Sequence, residues 1–190
     1  MFLLRRPTPE TIRRFIASQS DLPFSYSQIG ATRTEPPAGF IVDHNRIRIG
    51  SGQESYEQAV AALRSWKQFD LGWVSVVPPG LPVKVGTTVA VQAKTLGVWS
   101  LSACRIVYVI EEDDDVKKFG FAYGTLPDHV ESGEERFTIE WRTDGSVWYD
   151  ILAFSRPQHP LARRGRPLVR RWQKQFARDS LAAMLVASRP

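Results

Sequence analysis

The chain has 190 residues, 43% hydrophobic and 24% charged, which is the composition of a folded globular protein and not of a disordered one. Its longest run without a charged residue, Leu71 to Val83, holds 13 residues and three prolines, too short to cross a bilayer. The net charge of +5 is concentrated: between Pro160 and Pro190 eight basic residues face one acid, so the rest of the chain is slightly acidic. Met1-Phe-Leu-Leu-Arg-Arg lacks the apolar run of a signal peptide, and a cytoplasmic protein is expected. The one cysteine, Cys104, excludes an intramolecular disulfide and a cysteine-based zinc cluster.

In chain order, Thr8-Pro9-Glu10 opens a helix with a hydroxyl N-cap, proline in the first turn and an acid near the positive end. Ile12, Phe15 and Ile16 share one face, and the helix stops near Ser20. Phe24 to Ile29 alternates as a short strand, 31–39 is a loop around Pro36-Pro37, and Ile41 to Ile49 suggests another strand. Ser51 or Gly52 opens an amphipathic helix with Tyr56, Ala59, Val60, Leu63 and Trp66 at spacings of three and four, ending around Phe69.

From Trp73 to Pro157 six strands follow one another with no helix long enough for a parallel crossover, so the sheet is antiparallel. Phe119, Phe121 and Tyr123 alternate with Gly120, Ala122 and Gly124, leaving one face nearly bare backbone. Asp144-Gly145 predicts a type I′ hairpin turn, and Trp148, Asp150, Leu152 and Phe154 share a face of the last strand. A long basic helix closes the chain with Leu168, Trp172, Phe176, Leu181 and Met184 or Leu185 as its apolar stripe. The expected fold is α+β: a curved antiparallel sheet of six to seven strands wrapped around this helix (160–188), with an N-terminal helical extension (1–22), all in one domain. A cavity is expected wherever the facing residues fail to fill the space.

That element order resembles the helix-grip fold of the START-related and birch-pollen-allergen superfamily, SRPBCC. Particular strings resemble, within it, the family described as domain of unknown function nineteen-ninety. They are Gly50-Ser-Gly52, Phe69-Asp-Leu-Gly72-Trp73, Cys104-Arg-Ile-Val-Tyr108, Phe119-Gly-Phe-Ala-Tyr-Gly-Thr-Leu-Pro127-Asp-His129, Gly133-Glu-Glu-Arg-Phe137 and Trp148-Tyr-Asp-Ile-Leu-Ala-Phe-Ser-Arg-Pro157. The resemblance spans nearly the whole chain and implies a fold and a cavity. It brings no catalytic residue with it.

Several sites are candidates. His129 lies among Asp128, Glu131, Glu134 and Glu135, where a histidine beside carboxylates suits a general base, although the run also reads as a polar loop between strands. Asp150 on an apolar strand face needs a partner, Arg105 or Arg136, or else it anchors a ligand or acts as an acid inside the cavity. His129, Glu135 and Asp150 are thus the catalytic candidates. Arg105, Phe121, Tyr123, Trp141, Trp148, Asp150 and Trp172 are the expected pocket lining, with the aromatic residues equally suited to a core. His44, His129 and His159 have no paired spacing, so no metal is expected, and Ser55 stands where a dinucleotide fingerprint after Gly50 and Gly52 would need a third glycine. No cofactor is expected.

Three functions are open at this point. The favoured one is binding of a small hydrophobic or amphipathic molecule between sheet and helix. The second is a cyclase, dehydratase or isomerase in which one of the three acid–base candidates moves a proton. The third is weak contact with an anionic membrane or nucleic acid through Arg163, Arg164, Arg170, Arg171 and Lys174, against which stands the expectation that Leu168, Trp172 and Phe176 already bury that helix on the sheet. No specific nucleic acid is predicted.

Overall fold

The structure, a computed structural model, describes residues 1–158 and 164–189. His159, Pro160 and Arg163 therefore lie outside the described residues. The strands are β1 (Phe2–Leu3), β2 (Ile41–Ser51), β3 (Val74–Val77), β4 (Thr88–Thr95), β5 (Val98–Asp113), β6 (Lys117–Thr125), β7 (Glu131–Trp141) and β8 (Ser146–Pro157). The helices are α1 (Pro9–Gln19), α2 (Gly52–Arg64) and α3 (Arg166–Ala187). All the strands join one antiparallel sheet in the order β2-β8-β7-β6-β5-β4-β3, with β1 added beside β5. The sheet curves around α3, which is the helix-grip arrangement. The last six strands are consecutive hairpins, so only β2, which pairs with β8, and the short β1, which pairs with β5, come from far along the chain.

The two faces of the sheet carry different cores. On the concave side Phe119, Phe121, Phe137, Ile139, Tyr149 and Ile151 pack against Ala59, Leu63, Trp66 and Phe69 from α2 and the turn after it, and against Met184 of α3. On the convex side α1 lays Ile12 and Phe15 over Ala90, Leu101, Ala103 and Leu126. Two alanines there let the helix approach closely. The Thr8 hydroxyl accepts the Thr11 N–H at 3.2 Å at the start of α1. At its other end Arg105 reaches over from β5 and donates to the carbonyls of Gln19, Ser20 and Leu22, which the helix cannot satisfy itself.

Three local expectations are corrected. Residues 24–29 are not a strand: Ser25 N–H donates to the Thr125 carbonyl at 2.9 Å, but the segment then departs from the sheet. The buried Glu134 carboxylate holds it instead, accepting from Tyr26 Oη at 2.7 Å, Gly30 N at 2.7 Å, Thr32 N at 3.0 Å and the Thr32 hydroxyl. The bare glycine face of β6 is what lets Tyr26 in, because a Cβ on Gly124 would lie 2.2 Å from its hydroxyl. Next, α2 ends at Arg64 and not at Phe69, since Trp66 turns the chain through a left-handed conformation with φ 60° and its indole N–H donates to the Leu81 carbonyl at 2.9 Å. Finally, the β7–β8 hairpin is not type I′. Only Gly145 of the Asp144-Gly145 pair has positive φ. The Asp144 carboxylate instead accepts Ser146 N at 2.9 Å and Ser146 Oγ at 2.6 Å.

The helix α3 divides into two halves by what faces it. Its C-terminal half meets large residues and polar partners: Met184 is fully buried, Ser180 Oγ lies 2.9 Å from Tyr149 Oη, and the Ser188 hydroxyl just beyond the helix donates to the Ile49 carbonyl at 3.1 Å. Its N-terminal half faces Ala93, Ser100, Ser102 and Ala153, short side chains for which no bond to it is seen, and Ser155, which among the described residues of the helix meets Gln173 alone. The expected burial of the whole apolar stripe is corrected there: Leu168 keeps 37% of its surface exposed, and Trp172 and Phe176 are only partly buried.

Candidate ligand cavity

The space left under the N-terminal half of α3 is a cavity of about 1190 Å³. Pockets for small molecules run to roughly 300–1,000 Å³, so there is room for a sizeable ligand. Its apolar wall is Phe69, Trp73, Val74, Val91, Ala93 and Ile151 on one side and Leu168, Trp172 and Phe176 on the other. Phe69 and Phe176, with ring centroids 5.0 Å apart, close its inner end. One ion pair fastens the helix half across it: Arg170 meets Asp43 of β2 with both guanidinium nitrogens, at 2.5 and 2.7 Å. Gln173 Nε2 adds a bond to Ser155 Oγ at 3.3 Å.

The polar groups in the cavity come mainly from β6 and β7. Glu135 and Tyr123 are directly opposite in the β6–β7 register, and the tyrosine hydroxyl donates to Glu135 Oε2 at 2.7 Å. Desolvation pushes the Glu135 carboxyl up to about 7, with Tyr123 pulling the other way and Asp43 adding repulsion. Four residues earlier on the same face, Glu131 is buried and raised by the same cause, and accepts from Ser155 Oγ at 3.1 Å. His129 stands at the cavity edge. Burial lowers it to about 4 from 6.5, so it is neutral at neutral pH, and its Nδ1 accepts the Glu131 N–H at 3.0 Å. That bond orients the ring from its own loop.

Of the expected site residues, the structure brings Tyr123, His129, Glu135 and Trp172 to the cavity. It places the others elsewhere. Asp150 points to the convex face, where it accepts from Arg136 at 3.1 Å and lies 2.6 Å from His44 Nε2. A period of two sends Asp150 to the side opposite Tyr149 and Ile151. Arg105 is bound up with the end of α1, and Arg136 is the partner Asp150 needed. Phe121 is fully buried beneath Trp66, with ring centroids 4.9 Å apart, and belongs to the core. Trp141 packs on Tyr56 at 5.9 Å, while Trp148 lies on the convex face under Arg46 and Arg142. Among the basic helix residues, Arg170 is committed to Asp43 and is corrected as a free surface contact. Arg164, Arg171 and Lys174 are exposed.

Sequence reasoning named Glu131 only as a neighbour of His129 and missed the small residues that leave the space open. Alanine and serine on a strand read as ordinary filler until the helix above them is known. No three of His, Cys, Asp or Glu converge as a metal site among the described residues. No helix among them is long and apolar enough to cross a membrane.

Comparison with known proteins places these features in a family setting. The family described as domain of unknown function (DUF1990) matches residues 25–183. A UPF0548 protein of Dictyostelium discoideum is 40% identical over 206 aligned residues, covering 98% of this chain and 95% of that one. A UPF0548 protein of Deinococcus radiodurans is 37% identical over 199, covering 98% of each. A solved structure of a hypothetical protein from Helicobacter pylori superimposes with a TM-score of 0.52 at 12% identity, covering 88% of this chain and 96% of that one, a likeness of fold alone.

Proposed function

The chain belongs to the DUF1990 family, and from that premise and the cavity we propose that it binds a small hydrophobic or amphipathic molecule between its sheet and the N-terminal half of α3. The observation that carries this reading is the mismatch along α3. An amphipathic helix that presents Leu168 and Trp172 to short side chains, with Phe176 meeting the Phe69 ring at the inner end, leaves apolar surface uncovered, and filling that space recovers roughly 25 cal/mol for each Å² removed from water. A helix meant only for packing would meet residues long enough to touch it, as the C-terminal half of α3 does.

Native mass spectrometry of the protein from its natural source, followed by organic extraction, tests the reading. A stoichiometric small molecule is the expected result. An empty protein that also fails to take up the hydrocarbon dye diphenylhexatriene sinks it.

One observation favours a second reading, proton transfer on a bound substrate. Glu135, in an apolar cavity and with a pKa of about 7, is poised between acid and base at neutral pH. Turnover lost in Glu135→Gln while the extracted molecule still binds would make the protein an enzyme.

A further inference from the structure

The polar groups of the cavity have one sign. Glu135 and Glu131 are carboxyls on one face of β7, and neither forms an ion pair among the described residues. Among the described residues one charged pair spans the space, Arg170 with Asp43, and the same guanidinium acts on Glu131 but is not among the groups that shift Glu135. His129 is uncharged at neutral pH. The cations that border the cavity without such a partner, Arg171, Lys174 and Arg178, are exposed on α3, at the solvent side of the opening. Beside Glu135 there is thus acceptor capacity and no balancing positive charge among the described residues, whereas Glu131 feels Arg170 and Arg166.

Glu135 is the part of this that faces a ligand. Tyr123 supplies its only hydrogen bond among the described residues, and to one oxygen, Oε2. Among the described residues Oε1 accepts nothing, and it is not one of the buried polar atoms lacking a partner, so it keeps surface of its own in a residue that lines the cavity. Tyr123 cannot offer a ligand its proton without giving up the bond to Glu135, and it holds the carboxylate in one rotamer.

We infer that the Tyr123–Glu135 pair is the seat for the polar end of the ligand, and that this end is a hydrogen-bond donor, an amine or a hydroxyl on an apolar body, and not a carboxylate. This deepens the proposed function and rests on it. A donor head at Oε1 satisfies an acceptor that the protein leaves open beside the Tyr123 bond. An anionic head seated at Glu135 would meet a carboxyl and no cation among the described residues, and its desolvation would go uncompensated. Burial, which raises Glu135 toward neutrality, fits an alcohol as well as an ammonium: a cation arriving beside it draws the carboxyl back to its charged form.

The test displaces diphenylhexatriene, which has no polar group, with decylamine, decanol and decanoate. In the wild-type protein decylamine or decanol, or both, should displace the dye at a concentration about tenfold or more below that of decanoate. Which of the two leads reports whether the head is charged. Glu135→Gln, nearly isosteric, should erase an amine preference by about tenfold and improve decanoate, each read relative to that variant's own dye affinity. Glu131→Gln should leave the preference in place. Equal displacement by all three probes, or a preference that follows Glu131 and not Glu135, overturns the inference while the cavity stands. A dye that never binds overturns the cavity and the inference with it.

Discussion

At the scale of single residues, two buried groups titrate in opposite senses. Glu135 rises from 4.5 to about 7 in the folded protein, and His129 falls from 6.5 to about 4. The folded Glu135 holds its proton more tightly than the unfolded one. It therefore costs nothing below pH 4.5, costs more as pH rises toward 7, and keeps a constant penalty above that. His129 is the mirror case, free of cost above pH 6.5 and increasingly costly as pH falls toward 4. Between 4.5 and 6.5 the two slopes oppose each other and their contributions to stability largely cancel. Glu135→Gln removes one slope. Urea denaturation should find that variant more stable than wild type near pH 8 by on the order of 3 kcal/mol, with no advantage near pH 4. Equal gains at both values would mean that Glu135 is not buried as the fold has it. Gln68 is a simpler case. Its side-chain amide is fully buried with neither atom hydrogen-bonded among the described residues, so Gln68→Met should stabilise the protein by about 1–2 kcal/mol.

At the scale of elements, the ends of α3 differ in what holds them. The C-terminal half rests on Met184, Ser180 and the contact of Ser188 with Ile49, whereas the N-terminal half rests chiefly on the Arg170–Asp43 pair and Gln173. Removing one member of a partly buried pair leaves the other desolvated and alone. In Asp43→Ala, amide exchange should quicken over residues 166–174 while residues 180–187 stay protected. Uniform acceleration along the helix would mean that α3 opens as one unit. The segment from Tyr26 to Thr32 is likewise held at one point, since four donors converge on Glu134. Glu134→Ala orphans those donors together and should cost about 3–5 kcal/mol in denaturant unfolding, with dye binding retained by the protein that remains folded. Such elements show where the sequence was readable. The strands of the six-stranded run and both ends of α1 follow from period and capping, which are local. The strap at 24–29 alternates as a strand does, but alternation is silent about whether a partner strand is adjacent. Its partner turned out to be one carboxylate more than a hundred residues away.

At the scale of the whole molecule, the sequence showed which residues are apolar or titratable but not which side of the sheet each occupies. Asp150 illustrates the loss. Its apolar neighbours on the strand face suggested a pocket, yet that face is the convex one, where residues 30–40 and the Arg136 and His44 side chains enclose it. Glu135 was legible as a carboxylate beside a histidine. Its isolation in an apolar space was not, because that depends on Ala93, Ser102 and Ala153 being too small to reach α3. Those small residues give the most direct prediction for the molecule as a ligand carrier. Ala153→Phe puts a ring where the concave face of β8 is bare, beside Ser155 and opposite the Leu168–Trp172 stripe. The added ring should abolish dye uptake and cover part of that stripe. Because it occupies space that is already open, the melting temperature should hold or rise, unlike the usual cost of overpacking a filled core. The wild-type protein at a ligand concentration of about a hundredfold its Kd should gain roughly 2.7 kcal/mol of stability, and Ala153→Phe should gain none. If Ala153→Phe instead binds dye as well as wild type, the ligand enters elsewhere. If it unfolds outright, the space beneath α3 is closed in solution, and the molecule is a packed protein and not a carrier.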